Sequence, residues 1–375
     1  MENVKKKILI FIERFTPSYK SGGPVRSIES LIPILNKYYN VFIVTRDRDA
    51  GDKEAFKDIK IDEWIKKDNY TILYLSPSSV TISRFYKILC SIKYDFIYTN
   101  SLMSEFTRYL FLNNFLLRNK IIVAPRGELH SGALSIKKDK KKPYIWFVKK
   151  FILEKIIWHA TDYVEKVSIS QLFGNRDIRL APDTTSLLAP RKYYQKRSDQ
   201  VSFVYISRIT QKKGLIYFLE LLKNDFNGVI TFDIFGPIDE AYWKECQAII
   251  SKKASKCIIT YKGTIAHELI NEVLHKYDFF VLPTFGENFG HAIIEAMSAG
   301  VPVLISDQTQ WKNLAPINAG WDISLGQKEK WIDIVQFCIT VSNEEYQKIS
   351  KNAVGVAENY IKSVNFEKEY LELFN

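Results

Sequence analysis

The residues best placed to do chemistry stand in one stretch, Pro283-Thr284-Phe285-Gly286-Glu287-Asn288-Phe289-Gly290-His291-Ala292-Ile293-Ile294-Glu295, which runs on to Pro302. Glu287 and Glu295 are two carboxylates set among glycines and apolar residues. A carboxylate only accepts hydrogen bonds, so two of them in one concave site can hold several sugar hydroxyls at once. Asn288, Phe289 and Gly290 fall where a helix would start and can present backbone N–H groups to a ligand. Glu295 comes about two turns further on, on the face that carries Ala292 and Ala299. A capped amphipathic helix would account for the spacing. It leaves a carboxylate in the apolar run 292–303 unexplained, because a lone buried charge is costly.

A second set is Ser207-Arg208-Ile209-Thr210-Gln211-Lys212-Lys213-Gly214. Arg208 and Lys213 are long cations after a strand, and Gly214 lets the following helix begin close to a ligand. Two fixed cations with helix-start amides form a cradle for a diphosphate, although a solvated basic loop has the same composition. A third is Gly22-Gly23-Pro24, where glycine permits close backbone approach and proline suits a first helical turn. A plain tight turn also uses such residues.

These segments need elements to carry them. Apolar strand-like runs at 7–13, 41–45, 71–75, 96–99 and 121–125 alternate with helical patterns, the first at 25–38. After a polar linker at 182–200 a second series begins at 201–207, 231–235, 258–261, 278–282 and 302–306. Alternation of this kind predicts two doubly wound, mostly parallel α/β sheets, whose strands are apolar throughout because both faces are covered. Ligands in such sheets bind beyond the carboxyl ends of the strands. The expected division is 1–185, 186–355 and a C-terminal helix at 356–375, within a helical pattern read over 353–374.

The chain has 375 residues, 46% hydrophobic and 25% charged, enough for two ordinary cores. The opening residues are polar and basic, and the apolar run at 8–12 is too short for a signal core or a membrane span. This predicts a cytoplasmic protein, or one lying on the inner face of a membrane. Cys90, Cys246, Cys257 and Cys338 lack paired spacing and read as free thiols, with no metal-ligand pattern around them. A net charge of +11 favours an anionic partner, but no nucleic-acid recognition motif accompanies it. The one dense charge run, Lys137-Lys138-Asp139-Lys140-Lys141-Lys142, precedes Pro143-Tyr144-Ile145-Trp146-Phe147. Such a pattern suits an anionic membrane surface as well as a solvated helix end.

Taken together, Glu287 and Glu295, with seven residues between them, resemble the Glu-x7-Glu signature of the retaining glycosyltransferases of family four, which have the GT-B fold. Arg208, Lys213 and Gly214 resemble that family's diphosphate motif, and Gly22 with Gly23 its N-terminal glycine loop. The resemblance implies two facing Rossmann-like domains with a cleft between them. It implies a nucleoside diphosphate sugar, UDP-linked, as co-substrate, with no further cofactor and no metal. The acceptor would be a glycan or a lipid-diphosphate-linked glycan in surface polysaccharide synthesis. By the same resemblance Glu287 would bind the donor sugar, the amides of Asn288, Phe289 and Gly290 the sugar and diphosphate, and Glu295 the ribose. Arg208 and Lys213 would neutralise the diphosphate, and Gly263, Thr264 and Ile265 would border the base.

Two positions depart from the family pattern. Arg126, in Pro125-Arg126-Gly127-Glu128-Leu129-His130, stands where many relatives carry a histidine beside the reacting sugar. It cannot act as a base and would instead hold an anionic acceptor or a donor phosphate. Pro182-Asp183-Thr184 replaces the usual Pro-Asn-Gly. A sugar-nucleotide epimerase on the same scaffold, or an inactive homologue serving as a binding module, are the alternatives.

Overall fold

The computed structural model describes residues 5–18, 20, 22–114, 120–129, 138–192, 194–252 and 254–375, with backbone only at 114, 138 and 140. The chain divides into two units, Met1–Thr185 with Asn365–Asn375, and Ser186–Val364.

The first unit holds an eight-stranded sheet. In chain order its strands are β1 (Lys6–Phe11), β2 (Tyr39–Arg46), β3 (Trp64–Lys66), β4 (Thr71–Leu75), β5 (Phe96–Asn100), β6 (Ile121–Ala124), β7 (Ile156–Ala160) and β8 (Ile178–Leu180). They lie in the order β3-β4-β2-β1-β5-β6-β7-β8. Only the β3–β4 pairing is antiparallel. The period of two decides where each apolar side chain goes. Leu9 and Phe11 join one core cluster, and Ile8 and Ile10 join a separate one. Each such burial contributes about 1.5–3 kcal/mol, and a sheet covered on both sides draws on both sets.

The second unit has six parallel strands, β9 (Gln200–Ile206), β10 (Val229–Phe235), β11 (Cys257–Tyr261), β12 (Phe279–Leu282), β13 (Val303–Ser306) and β14 (Gly320–Ile323). Their order is β11-β10-β9-β12-β13-β14. From β9 the chain winds outward one way through β10 to β11; from β12 it winds the other way to β14. The reversal lies between β9 and β12.

The expected helix over 353–374 is in fact two helices, Asn343–Ser363 and Phe366–Leu373. Val364 is extended (φ −110°, ψ 121°), and the Asn365 side chain accepts from the Lys368 N–H at 3.0 Å, so a capping residue restarts the helix. The second helix belongs to the first unit. Tyr370, Leu373 and Phe374 are buried there, with the Phe374 ring 5.7 Å from Phe96 and Tyr98. The polar stretch expected as a linker has no regular structure between β8 and β9. Arg191 nevertheless anchors its second half, donating to the carbonyls of Tyr277 (2.9 Å) and Gly300 (2.8 Å).

Candidate functional site

In a parallel sheet all carboxyl ends lie on one edge, and the gap between β9 and β12 is where two connections part in opposite directions. The loop after β9 carries Arg208, Lys212, Lys213 and Gly214; the loop after β12 carries Glu287 to Gly290. The structure brings these two loops together. Lys213 Nζ donates to Glu287 Oε1, an ion pair with side chains 15% and 10% exposed. The Lys212 carbonyl accepts from the N–H of Phe285 (2.8 Å) and from Thr284 Oγ1 (3.1 Å). Partial desolvation, with the like charges of Lys213 and Arg208, holds the Lys212 ammonium below its ordinary pKa against the pull of Glu287. Arg208 is exposed and makes no ion pair among the described residues.

Gly214 shows why this approach needs glycine. It is left-handed (φ 70°, ψ 18°), and a Cβ there would lie 1.9 Å from the Pro283 carbonyl oxygen. Gly290 is likewise left-handed (φ 78°, ψ 57°) and precedes the helix His291–Ser298. The Phe289 side chain is turned inward, with Trp311 and Tyr360 around its ring at 5.6 and 5.4 Å. The Phe289 carbonyl accepts from Trp311 Nε1 at 2.8 Å, which leaves the backbone N–H for a ligand. Glu287 N–H donates to the Gln308 carbonyl at 2.9 Å, so the loop after β13 supports the site from its other side.

Glu295, 7% exposed, has the partner its apolar setting demands. His267 Nε2 lies 3.0 Å from Glu295 Oε1. His267 opens the short 3-10 helix His267–Leu269. That helix follows Gly263, Thr264 and Ile265, where Gly263 (φ 80°) accepts at its carbonyl from Gly236 N–H at 2.9 Å and Ile265 packs on the core. Sequence reasoning named 263–265 and passed over His267. The signal available was a histidine two positions beyond a segment expected to border a ligand.

In the first unit the corresponding reversal lies between β1 and β5. Gly22 (φ 64°) precedes the helix Gly23–Asn36, with Pro24 in its first turn. A Cβ at Gly22 would meet nothing within 4 Å, so only its backbone conformation calls for glycine. Asp49 holds the approach to that loop, accepting from Ser18 Oγ (2.7 Å) and Lys20 N–H (3.1 Å). Ser21, His130 and Lys137 lie outside the described residues.

Arg126, expected to hold an anionic acceptor or a donor phosphate, is paired within its own unit. Nη1 donates to Asp183 Oδ1, Nε to Asn100 Oδ1 (3.1 Å) and Nη2 to the Tyr98 hydroxyl (2.9 Å). The Arg126 and Asp183 side chains are 6% and 4% exposed. Burial opposes the Arg126 charge, and the Asp183 carboxylate more than restores it, so the pKa is raised. The two departures from the family pattern are therefore bonded to each other. The chain continues inward: Tyr98 hydroxyl to His159 Nδ1 at 2.9 Å, His159 Nε2 to the Ala181 carbonyl at 2.7 Å. A carbonyl only accepts, so Nε2 carries the proton and Nδ1 accepts from Tyr98. Glu165, buried beneath, accepts from Gly127 N–H at 2.6 Å and Thr161 N–H at 2.9 Å. Asn100, which accepts from Arg126 through Oδ1, has its Nδ2 buried without a hydrogen-bond partner.

Residues 190–353 match the family described as Glycosyl transferases group 1. The match lies within the second unit. The loops just described after β9 and β12 both fall inside the matched region. The chain is 24% identical over 231 residues to an uncharacterized 41.2 kDa protein in the cps region of Klebsiella pneumoniae, covering 57% of this chain and 61% of that protein, less than two thirds of it. It is also 24% identical over 327 residues to the Escherichia coli UDP-Gal:alpha-D-GlcNAc-diphosphoundecaprenol alpha-1,3-galactosyltransferase, covering 82% and 81%. Among solved structures, Anabaena Alr3699/HepE in complex with UDP and glucose superposes with a TM-score of 0.71 at 15% identity over 98% of each chain. At that identity the likeness is one of fold, and the fold class is GT-B. Among the described residues no group of three or more His, Cys, Asp or Glu is arranged to hold a metal ion, and no helix is long and apolar enough to cross a membrane.

Proposed function

We propose that the protein is a retaining glycosyltransferase of surface polysaccharide synthesis, moving a sugar from a UDP-linked donor to a glycan on a lipid diphosphate. The observation that carries this is the meeting of Lys213 with Glu287 at the strand reversal of the unit that holds the group 1 match, under a backbone contact that only Gly214 permits. In this reading Arg208 and Lys213 take the diphosphate, and Lys213 exchanges part of its bond with Glu287 for the incoming charge. Glu287 then accepts from the donor sugar's hydroxyls, with the backbone of Asn288, Phe289 and Gly290 beside them. Glu295 takes the ribose hydroxyls, while Gly263, Thr264 and Ile265 flank the base. The bond from the anomeric carbon to the diphosphate breaks as the acceptor oxygen bonds to the same face of that carbon. The acceptor proton passes to the departing phosphate oxygen. Lys213, held by Glu287, and Arg208 on the same loop stabilise the charge where it develops. The test is transfer from a panel of UDP-sugars to a polyprenyl-diphosphate-linked glycan. A product with the donor's anomeric configuration is expected from one donor; absence of product from every donor, or epimerised donor without acceptor, contradicts the reading.

A lipid-linked acceptor calls for contact with a bilayer, and the first unit has a surface that fits. Within the helix Lys138–Phe147, Tyr144 turns inward and its hydroxyl donates to the Leu102 carbonyl at 2.9 Å. Trp146 points out, 58% exposed, beside Phe151 at 43%, with ring centroids 6.0 Å apart. Lys150 Nζ lies 5.0 and 5.3 Å from those two rings, and Lys142 and Lys149 are exposed near them in sequence. Aromatic rings flanked by lysines suit an anionic interface. Sedimentation with anionic but not zwitterionic vesicles is expected, and should be lost in Trp146→Ser with Phe151→Ser. Equal sedimentation of the variant contradicts it.

A further inference from the structure

Among the described residues His267 joins the loop proposed to flank the base to the carboxylate proposed to take the ribose. Its place is set from both sides. Gly263 is hydrogen-bonded to Gly236, and Ile265 is packed on the core, so the backbone leading to it is held. Glu295 projects from a helix whose His291, Ile293, Ile294, Ala296 and Met297 are all buried, so its backbone is held as well. Between these two fixed points a carboxylate side chain still has three torsions free. The bond from His267 removes that freedom. A carboxylate oxygen only accepts, so the proton of the 3.0 Å contact sits on His267 Nε2, whatever the charge of the ring. One lone pair of Oε1 is thereby committed to the imidazole, and the rotation that would turn the carboxylate away is blocked. Oε2 and the second lone pair of Oε1 remain as acceptors for a ligand. His267 is 27% exposed, so it stands at the rim of the site, with Glu295 beneath it at 7%.

We propose that His267 is a positioning residue that makes the site discriminate ribose from 2′-deoxyribose. A carboxylate held in one rotamer accepts from the two vicinal hydroxyls of ribose together. A swinging carboxylate accepts from one hydroxyl nearly as well as from two, and the 2′-hydroxyl then loses its value. This rests on the reading of Glu295 as the ribose ligand given above. It goes further in naming the residue that makes that ligand selective.

The test is calorimetric binding of UDP, ADP, GDP and CDP and of their 2′-deoxy analogues to the full chain. Wild type should bind one ribonucleotide about tenfold more tightly than its 2′-deoxy form, the worth of one charge-assisted hydrogen bond. His267→Ala should weaken the ribonucleotide about tenfold and the deoxy form less than about twofold, so that the ratio collapses. His267→Gln should keep most of the ratio, because its amide can donate from a similar position. Equal weakening of both forms in His267→Ala would mark a packing role and overturn the inference, as would an unchanged ratio. Glu295→Ala separates the two readings. If it abolishes the discrimination while His267→Ala preserves it, His267 alone is misassigned. If it leaves nucleotide binding untouched, or if no nucleotide binds wild type, the assignment of Glu295 falls and this inference with it.

Discussion

Each unit contains a cation–carboxylate pair on loops at the carboxyl edge of its sheet, and the two pairs do opposite things. Arg126 and Asp183 are almost wholly buried, with Arg126 bonded also to Asn100 and Tyr98, and Tyr98 in turn to His159. Lys213 and Glu287 keep 15% and 10% of their side-chain surface, and the unpaired, exposed Arg208 stands on the same loop as Lys213. The chemistry of a salt bridge is the same in both. What differs is how far the groups are covered. A buried network specifies its own unit; an open pair beside an uncompensated cation holds charge that a ligand can redistribute. Sequence position at a strand end does not separate these cases, since both qualify.

The sharpest way to break this contrast is to remove one member of each pair. Arg126→Ala should cost the first unit about 3–5 kcal/mol in urea denaturation, because it strands a buried carboxylate. Arg126→Met with Asp183→Leu together should recover most of that loss, since replacing both members of a buried pair by apolar groups is close to neutral. If the single variant costs nothing, the pair is not buried. Glu287→Ala should do the reverse, with little effect on melting temperature and a 10²–10³-fold fall in transfer rate, or about 2.7–4 kcal/mol of transition-state stabilisation. A third variant tests the backbone that brings the open pair together. Gly214→Ala must either tolerate a Cβ 1.9 Å from the Pro283 carbonyl or push the two loops apart. Left-handed strain and overpacking together should lower stability by about 2 kcal/mol and weaken donor binding. Normal stability and binding would mean that the loops need not meet.

The smallest effect is one of pH. Burial first, and then the Arg126 charge, push His159 down to about 3 from its ordinary 6.5. Between those two values the unfolded chain binds the proton and the folded one does not. Stability held in full above about 6.5 is therefore lost as pH falls toward 3, by up to roughly 1.4 kcal/mol per pH unit. His159→Asn should flatten that slope; an unchanged slope would place its origin in other groups.

The strands nearest the site were legible because parallel strands covered on both faces read as unbroken apolar runs. The runs at 201–207 and 278–282 each fall within one residue of β9 and β12, and the run at 71–75 in the first unit coincides with β4. Strands β3 and β8 have three residues each and are partly exposed, so no run marked them. β7 hid behind the His159 in its sequence, and β14 behind Gly320 and Asp322. Among site residues, Lys213, Gly214, Glu287 and Glu295 could be picked out because their spacing within single segments carried a signal. The partners of Glu295 and Arg126 could not. His267 stands 28 residues from Glu295 and Asp183 stands 57 from Arg126, contacts made by topology rather than by any local period. The pairing of Arg126 stayed hidden for that reason, its position at a strand end being visible and its partner Asp183 not.

The central claim is that the second unit takes a nucleoside diphosphate sugar through Glu295 and the loops beside it. The most direct measurement is thermal unfolding of wild type and Glu295→Ala against a panel of nucleoside diphosphate sugars. The account predicts that one donor raises the wild-type melting temperature and that the folded variant shows no such rise. A wild type that is folded yet unmoved by every donor, or a variant stabilised as much as wild type, would contradict it.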